Sequence, residues 1–217
     1  ALQKGEVDAA VVLPSDIADL DESQITVYPY SENRVGYLGL NTKSEALTDE
    51  KVRQAVLFAL NKKELNQAAY LDEKYYDTPY SFLPPNNPFA TEAVEKYETN
   101  IAKAQELLQE AGVTDLKLNI AFSATDPAQT VQATLIQQQL QQAGITVSLE
   151  GGDSTAIYTE LRKAGSTKYN LFLGGYIMGN DPDLYGALFL SDGRANYFQT
   201  ENAVTDALFA EGAVELD

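Results

Sequence analysis

The run Gly174-Gly175-Tyr176-Ile177-Met178-Gly179-Asn180-Asp181-Pro182-Asp183 combines the residue types best suited to hold a ligand. Glycines let a backbone approach a bound molecule closely, and Tyr176 and Met178 offer adaptable apolar contact. Asp181 or Asp183 could meet a cation or an amine. The segment follows residues 169–173, which read as a buried strand, and ligand crevices in α/β sheets open where strands end. A plainer reading stands beside this one: a Gly-rich loop with Asp181-Pro182 as a turn and Asp183 as a helix cap.

Other chemistries are excluded by what the chain lacks. It has no cysteine and no histidine, which removes thiol nucleophiles, Ser-His and Cys-His catalysis and the usual zinc sites. No lysine with serine or threonine follows the last glycine of the run, so it is not a phosphate loop. Asp181 and Asp183 do not extend into an EF-hand, because no further ligands follow at the required spacing. Fifteen basic residues against 32 acidic ones leave a net charge of −17, with the bases scattered singly. That distribution argues against nucleic acid, whose phosphates need clustered Lys and Arg. Thirteen tyrosines form the second notable feature. Tyrosine suits wet, tolerant binding surfaces, although most buried tyrosines serve as core with a satisfied hydroxyl.

The elements that must position these residues alternate in type. Residues 7–13 read as a short buried strand stopped by Pro14, 25–30 as a second and 34–41 as a third, with Val35, Tyr37 and Leu40 as core or hinge contacts. Val52, Ala55, Val56, Ala59 and Leu60 recur at helical spacing, capped by Thr48 or Asp49. Asn61 and Glu64 read as a capping box opening a helix to Tyr70. Residues 72–88 carry Pro79, Pro84, Pro85 and Pro88 and should cross irregularly. Residues 100–111 form a helix ended by Gly112, and 116–122 a strand. Asp126-Pro127 opens a helix with Val131, Leu135, Ile136, Leu140 and Ala143 inward and its glutamines outward, ending at Gly144. A strand over 145–149, a helix from the Gly151-Gly152-Asp153 turn to Arg162, and a final helix over 201–210 complete the reading. The repeated helix, Ala-Gly, strand rhythm defines an α/β fold with a layered mixed sheet and flanking helices.

Several segments together resemble the family 5 extracellular solute-binding proteins, the oligopeptide- and dipeptide-binding proteins of ABC transporters. These are Gly5-Glu6-Val7-Asp8-Ala9-Ala10, Tyr37-Leu38-Gly39-Leu40-Asn41 and the stretch from Leu47-Thr48-Asp49-Glu50 through Ala59-Leu60-Asn61-Lys62. Ala102-Lys103-Ala104 with Leu107-Leu108 and Glu110-Ala111-Gly112 follows, then Gly175-Tyr176 through Asp181-Pro182-Asp183. The resemblance implies one lobe of a two-lobed, class II periplasmic-binding-protein-like clam that is not an enzyme and needs no cofactor. It assigns residues 1–36 to a hinge-side segment of the other lobe and 37–217 to an incomplete C-terminal substrate-binding lobe. It places Tyr176, Met178, Gly179, Asn180 and Asp181 on the cleft. The expected partners are a short peptide ligand and the permease subunits of an ABC importer, with no nucleic acid and a monomeric full-length protein. The expected location is extracytoplasmic, as a cell-surface lipoprotein or in the periplasm, with the present chain an excised piece. Two departures stand out: the cleft aromatic is tyrosine rather than tryptophan, and the loop is one residue shorter than in members whose aspartate anchors a peptide amino terminus. An oligosaccharide or metal chelate as ligand, or a surface protein-interaction module, remain the alternatives.

Overall fold

The computed structural model describes residues 1–21 and 23–215. A mixed sheet of four strands forms its centre: β1 (Arg34–Leu40), β2 (Lys117–Ser123), β3 (Thr146–Gly152) and β4 (Leu171–Ile177), in the order β1-β4-β2-β3. β2 runs parallel to β3 and β4, while β1 pairs antiparallel with β4 so that Tyr37 faces Gly174 and Val35 faces Tyr176. Helices flank it: α1 (Pro14–Ile17), α2 (Glu50–Phe58), α3 (Lys62–Tyr70), α4 (Ile101–Glu110), α5 (Pro127–Gln142), α6 (Ser154–Leu161), α7 (Gly186–Phe189) and α8 (Ala203–Gly212).

Strand alternation divides the core. Leu118, Ile120, Leu171 and Leu173 point into a large cluster with Val52 and Val56 of α2, Leu107 of α4 and Ile136 and Leu140 of α5. Ala121 and Phe172 point the other way, against Ile157 and Leu161 of α6. The topology explains the split. From β2 the chain steps outward to β3 and then back across β2 to β4. Two right-handed crossovers in opposite directions must lie on opposite faces, so α5 covers one and α6 the other.

Local chemistry sets the helix ends. Asp49, Asn61, Asn100, Asp126, Asp153 and Asn202 each accept a backbone N–H at the start of a helix. Gly112 and Gly144 follow α4 and α5 with φ of 70° and 86°, a left-handed conformation that glycine adopts without strain. β2 and β4 share a short ladder, and side chains reinforce it. The Asn119 N–H donates to Asn170 Oδ1 at 2.8 Å, and the Asn170 N–H donates to Asn119 Oδ1 at 2.7 Å.

The structure corrects the sequence reading at five places. Residues 7–13 and 25–30 form no strand, and Val11 and Tyr28 are about four-fifths exposed. Among the described residues no strand lies alongside them to complete a ladder, and apolar alternation alone cannot supply one. On α5, Val131 is exposed while Gln139 is buried. Gln139 sits inside the capping box: its Oε1 accepts from the Asn61 N–H and its Nε2 donates to Glu64 Oε2, both at 2.9 Å. Gly151 and Gly152 end β3 rather than turn. β4 begins at Leu171 and runs on to Ile177, so Gly174 to Ile177 are strand and not loop.

Candidate functional site

β4 carries the candidate segment to the carboxyl ends of the parallel strands. There Tyr37 of β1 and Tyr176 of β4 stack at 5.7 Å with ring planes 30° apart. Tyr176 also meets Tyr185 edge-on at 5.5 Å and donates its hydroxyl to the Phe82 carbonyl. That bond ties the proline-rich crossing to the sheet. Burial, and next the neighbouring tyrosines, push the Tyr37 and Tyr176 hydroxyls well above the ordinary phenol range. Both stay neutral and able to donate at physiological pH.

Gly174 makes this packing feasible. A Cβ there would lie 2.6 Å from the Tyr158 hydroxyl oxygen and 2.6 Å from that of Tyr37. The two rings therefore close over bare backbone.

Around them opens a hollow of about 390 Å³. Its floor is Tyr37, Gly175 and Tyr176; one wall is the α6 face carrying Ser154, Thr155, Tyr158 and Arg162; Met178, Leu188, Ala195 and Tyr197 complete it. The Arg162 guanidinium lies 5.8 Å from the centroid of the Tyr197 ring and donates from Nη2 to its hydroxyl at 3.2 Å. Tyr197 in turn meets Tyr158 edge-on at 5.0 Å. Phenol hydroxyls, aromatic faces, two aliphatic hydroxyls and one cation make a surface suited to a polar organic ligand.

Of the five residues expected on the cleft, Tyr176 and Met178 line this hollow. Gly179, Asn180 and Asp181 are exposed and are not among its lining residues. The Asn180 carbonyl accepts from Asn87 Nδ2 at 3.1 Å, and Asp181 Oδ1 accepts the Asp183 N–H at 3.0 Å. Asp181, rather than Asp183, is thus the cap of the short 3-10 helix Pro182–Tyr185. The sequence reading did not single out Tyr158, Tyr197 or Arg162. One signal was available: Ser154, Tyr158 and Arg162 recur every four residues, one face of a helix.

A second hollow of about 380 Å³ lies beside the start of α3, and its lysines are already engaged. Lys63 pairs with Glu73 at 2.9 Å, Lys96 with Glu92 at 2.8 Å, and Lys62 Nζ donates to the Lys96 carbonyl at 3.1 Å. Among the described residues no group of three or more Asp and Glu side chains is placed to hold a metal ion, and no helix is long and apolar enough to cross a membrane.

A layered α/β lobe with an open, tyrosine-lined hollow at its strand ends is a ligand-binding architecture. The family of bacterial extracellular solute-binding proteins, family 5, matches residues 1–197, and the chain belongs to it. An ABC transporter substrate-binding protein of Listeria monocytogenes is 36% identical, with a TM-score of 0.95 over 100% of this chain and 45% of that one. A putative peptide-binding protein of Clostridium difficile is 33% identical, with a TM-score of 0.81 over 88% of this chain and 40% of that one. The nickel-binding periplasmic protein of Escherichia coli is 30% identical over 58% of this chain and 26% of its own length. Further relatives are named for glutathione, heme and oligopeptides. The chain thus spans less than half the length of these proteins. The family and fold are those of solute-binding proteins, not enzymes.

Proposed function

We propose that the chain is the C-terminal lobe of an extracytoplasmic binding protein that captures short peptides and delivers them to the permease of an ABC importer. The observation that carries this reading is the hollow beside β4. Its ring faces and neutral hydroxyls can pack and hydrogen-bond a peptide backbone without demanding one side chain. Tyr176 and Met178 contact the ligand from the hollow, and Gly179, Asn180 and Asp181 meet it from the rim. Residues 1–36 belong with the second lobe. The exposure of Val11, Tyr28 and Tyr30 supports that assignment, because apolar side chains so placed have surface to bury elsewhere. Closure of the two lobes over the ligand is a hinge motion, driven by contacts to both.

Titration calorimetry of the full-length protein with a random tetrapeptide mixture, beside the 217-residue chain alone, tests the reading. Binding by the full protein and at least about tenfold weaker binding by the lobe is the expected result, since half the contacts are absent. Silence toward peptides, with heat released on adding a metal chelate or an oligosaccharide, would transfer the role to those solutes.

A further inference from the structure

A non-glycine residue at positive φ stands at the entrance to the sheet. Asn33 has a φ of 53° and directly precedes Arg34, the first residue of β1. Asparagine tolerates the left-handed region better than most side chains, and it stays there when its surroundings hold it. Two bonds hold it here. The Asn33 N–H donates to Ser31 Oγ at 3.3 Å, and Asn33 Oδ1 accepts from Asn86 Nδ2 at 2.7 Å.

Asn86 belongs to the run Pro84-Pro85-Asn86-Asn87-Pro88, whose prolines fix φ on both sides of the asparagine pair. Two turns tighten the run: the Asn87 N–H donates to the Pro84 carbonyl and the Ala90 N–H to that of Asn87, both at 2.9 Å. Just upstream, Leu83 is buried in one cluster with Tyr185 and Leu188. The two asparagines serve different partners. Asn86 bonds Asn33, whereas Asn87, itself only 5% exposed, donates from Nδ2 to the Asn180 carbonyl at 3.1 Å and accepts the Phe89 N–H at 2.9 Å. β1 and β4 pair antiparallel with Arg34 opposite Ile177, so Asn33 enters and Met178 leaves at the same end of that ladder. The proline-flanked pair is thus a stiff clip between the entering and the leaving chain.

Resting on the assignment of residues 1–36 and of Gly179, Asn180 and Asp181 in the proposal above, we infer that Asn86 and Asn87 are positioning residues for the ligand site. They transmit the setting of the hinge-side segment to the segment that follows β4. A rotation of residues 1–33 about the start of β1 draws on Asn33 Oδ1, and the clip carries the Asn180 carbonyl with it because its own dihedrals are fixed. A ligand held by residues 179–181 biases the hinge in return, since coupling of this kind is reciprocal.

The test uses the full-length protein, read by hydrogen exchange and by calorimetry with the random tetrapeptide mixture. Asn33→Gly keeps the left-handed backbone and removes the acceptor for Asn86. It should speed exchange over residues 177–184 about three- to tenfold, the support of one hydrogen bond, and weaken tetrapeptide binding by a similar factor. Exchange in α5 should stay at the wild-type rate, which separates the effect from general loosening. Asn86→Ala should reproduce the result, and the double variant should be no worse than either single one. Asn33→Asp keeps an acceptor and should restore wild-type exchange. Acceleration confined to residues 31–35, equal acceleration in α5, or unchanged tetrapeptide affinity in Asn33→Gly overturns the inference and leaves the peptide reading intact. Silence of the wild type toward tetrapeptides overturns the peptide reading alone, and exchange over 177–184 still decides whether the clip acts.

Discussion

Replacing Gly174 with alanine tests whether the site is built on close approach of two tyrosines to bare backbone. Without neighbours the change should help, since alanine restricts the unfolded chain and glycine weakens a strand interior, together by about 0.4–1 kcal/mol. The neighbours reverse the sign. The new Cβ would stand 2.6 Å from the hydroxyl oxygens of both Tyr37 and Tyr158. That is roughly 0.8 Å inside ordinary van der Waals contact, and both rings are pinned, Tyr37 by Tyr176 and Phe172 and Tyr158 by Tyr197. Overpacking of this kind costs about 1–3 kcal/mol, which exceeds the entropic gain. For a chain of this size calorimetry should record a melting temperature lower by about 2–8 °C. On the peptide reading proposed above, ligand affinity should fall as well, because the rings that retreat are the floor and wall of the hollow. The decisive comparison is Gly174→Ala with Tyr158→Phe in one chain, which removes one of the two obstructing oxygens. The pair should be less destabilised than the sum of the singles by at least about 0.5 kcal/mol. A Gly174→Ala protein that melts with wild type, or strictly additive effects, would refute the close-packing argument.

Two further predictions concern the frame around the site. Gln139→Leu leaves the half-buried Asn61 N–H without its acceptor and Glu64 without its donor, so the chain should lose about 1–2 kcal/mol and melt roughly 2–8 °C lower; unchanged melting would mean that the capping box closes without Gln139. Asp206 of α8 accepts from the Ser191 N–H at 2.8 Å and the Ser191 hydroxyl at 2.6 Å, bonds that lower its carboxyl below the usual range. A depressed folded value stabilises above the unfolded carboxylate value of about 3.9 and is lost as pH falls through the folded one. Hydrogen exchange in α8 should therefore accelerate below about pH 4, and an Asp206→Asn variant should show the fast exchange at neutral pH already.

What the sequence disclosed depended on how local each determinant was. Asp49, Asn61, Asn100 and Asp126 mark their helices because a cap is a contact between residues two or three apart. Gly112 and Gly144 mark helix ends because the requirement for positive φ is written at one position. Strands are different. Residues 7–13 and 25–30 carry patterns as suggestive as those of β1, yet β1 has β4 beside it and they have no neighbouring strand among the described residues. Pairing is a property of two segments, and a pattern in one is only half of it. Gln139 shows the same limit at one residue: α5 periodicity predicts a glutamine in solvent, and the donors and acceptors that draw it inward lie on α3.

The site itself was half legible for the same reason. Tyr176 and Met178 stand out because glycines flank them in the chain, but the hollow is completed by Tyr37, Tyr158, Arg162 and Tyr197, which three separate segments deliver. Both this hollow and the one beside α3 hold tyrosines and basic side chains, but the one beside α3 is also lined by Glu73, Asp77 and Glu98. The two differ in pairing as well. Lys63 and Lys96 have carboxylate partners, and Arg162 has a phenol. In a chain with twice as many acids as bases, a cation surrounded by neutral hydroxyls is the arrangement that random placement supplies least readily. Cross-chain placement creates it: β1, β4 and the residues of α6 that line the hollow each contribute a tyrosine, and none of the lining residues is an acid. A binding surface of this kind is defined by the charges kept out of it, and only the folded chain shows which those are.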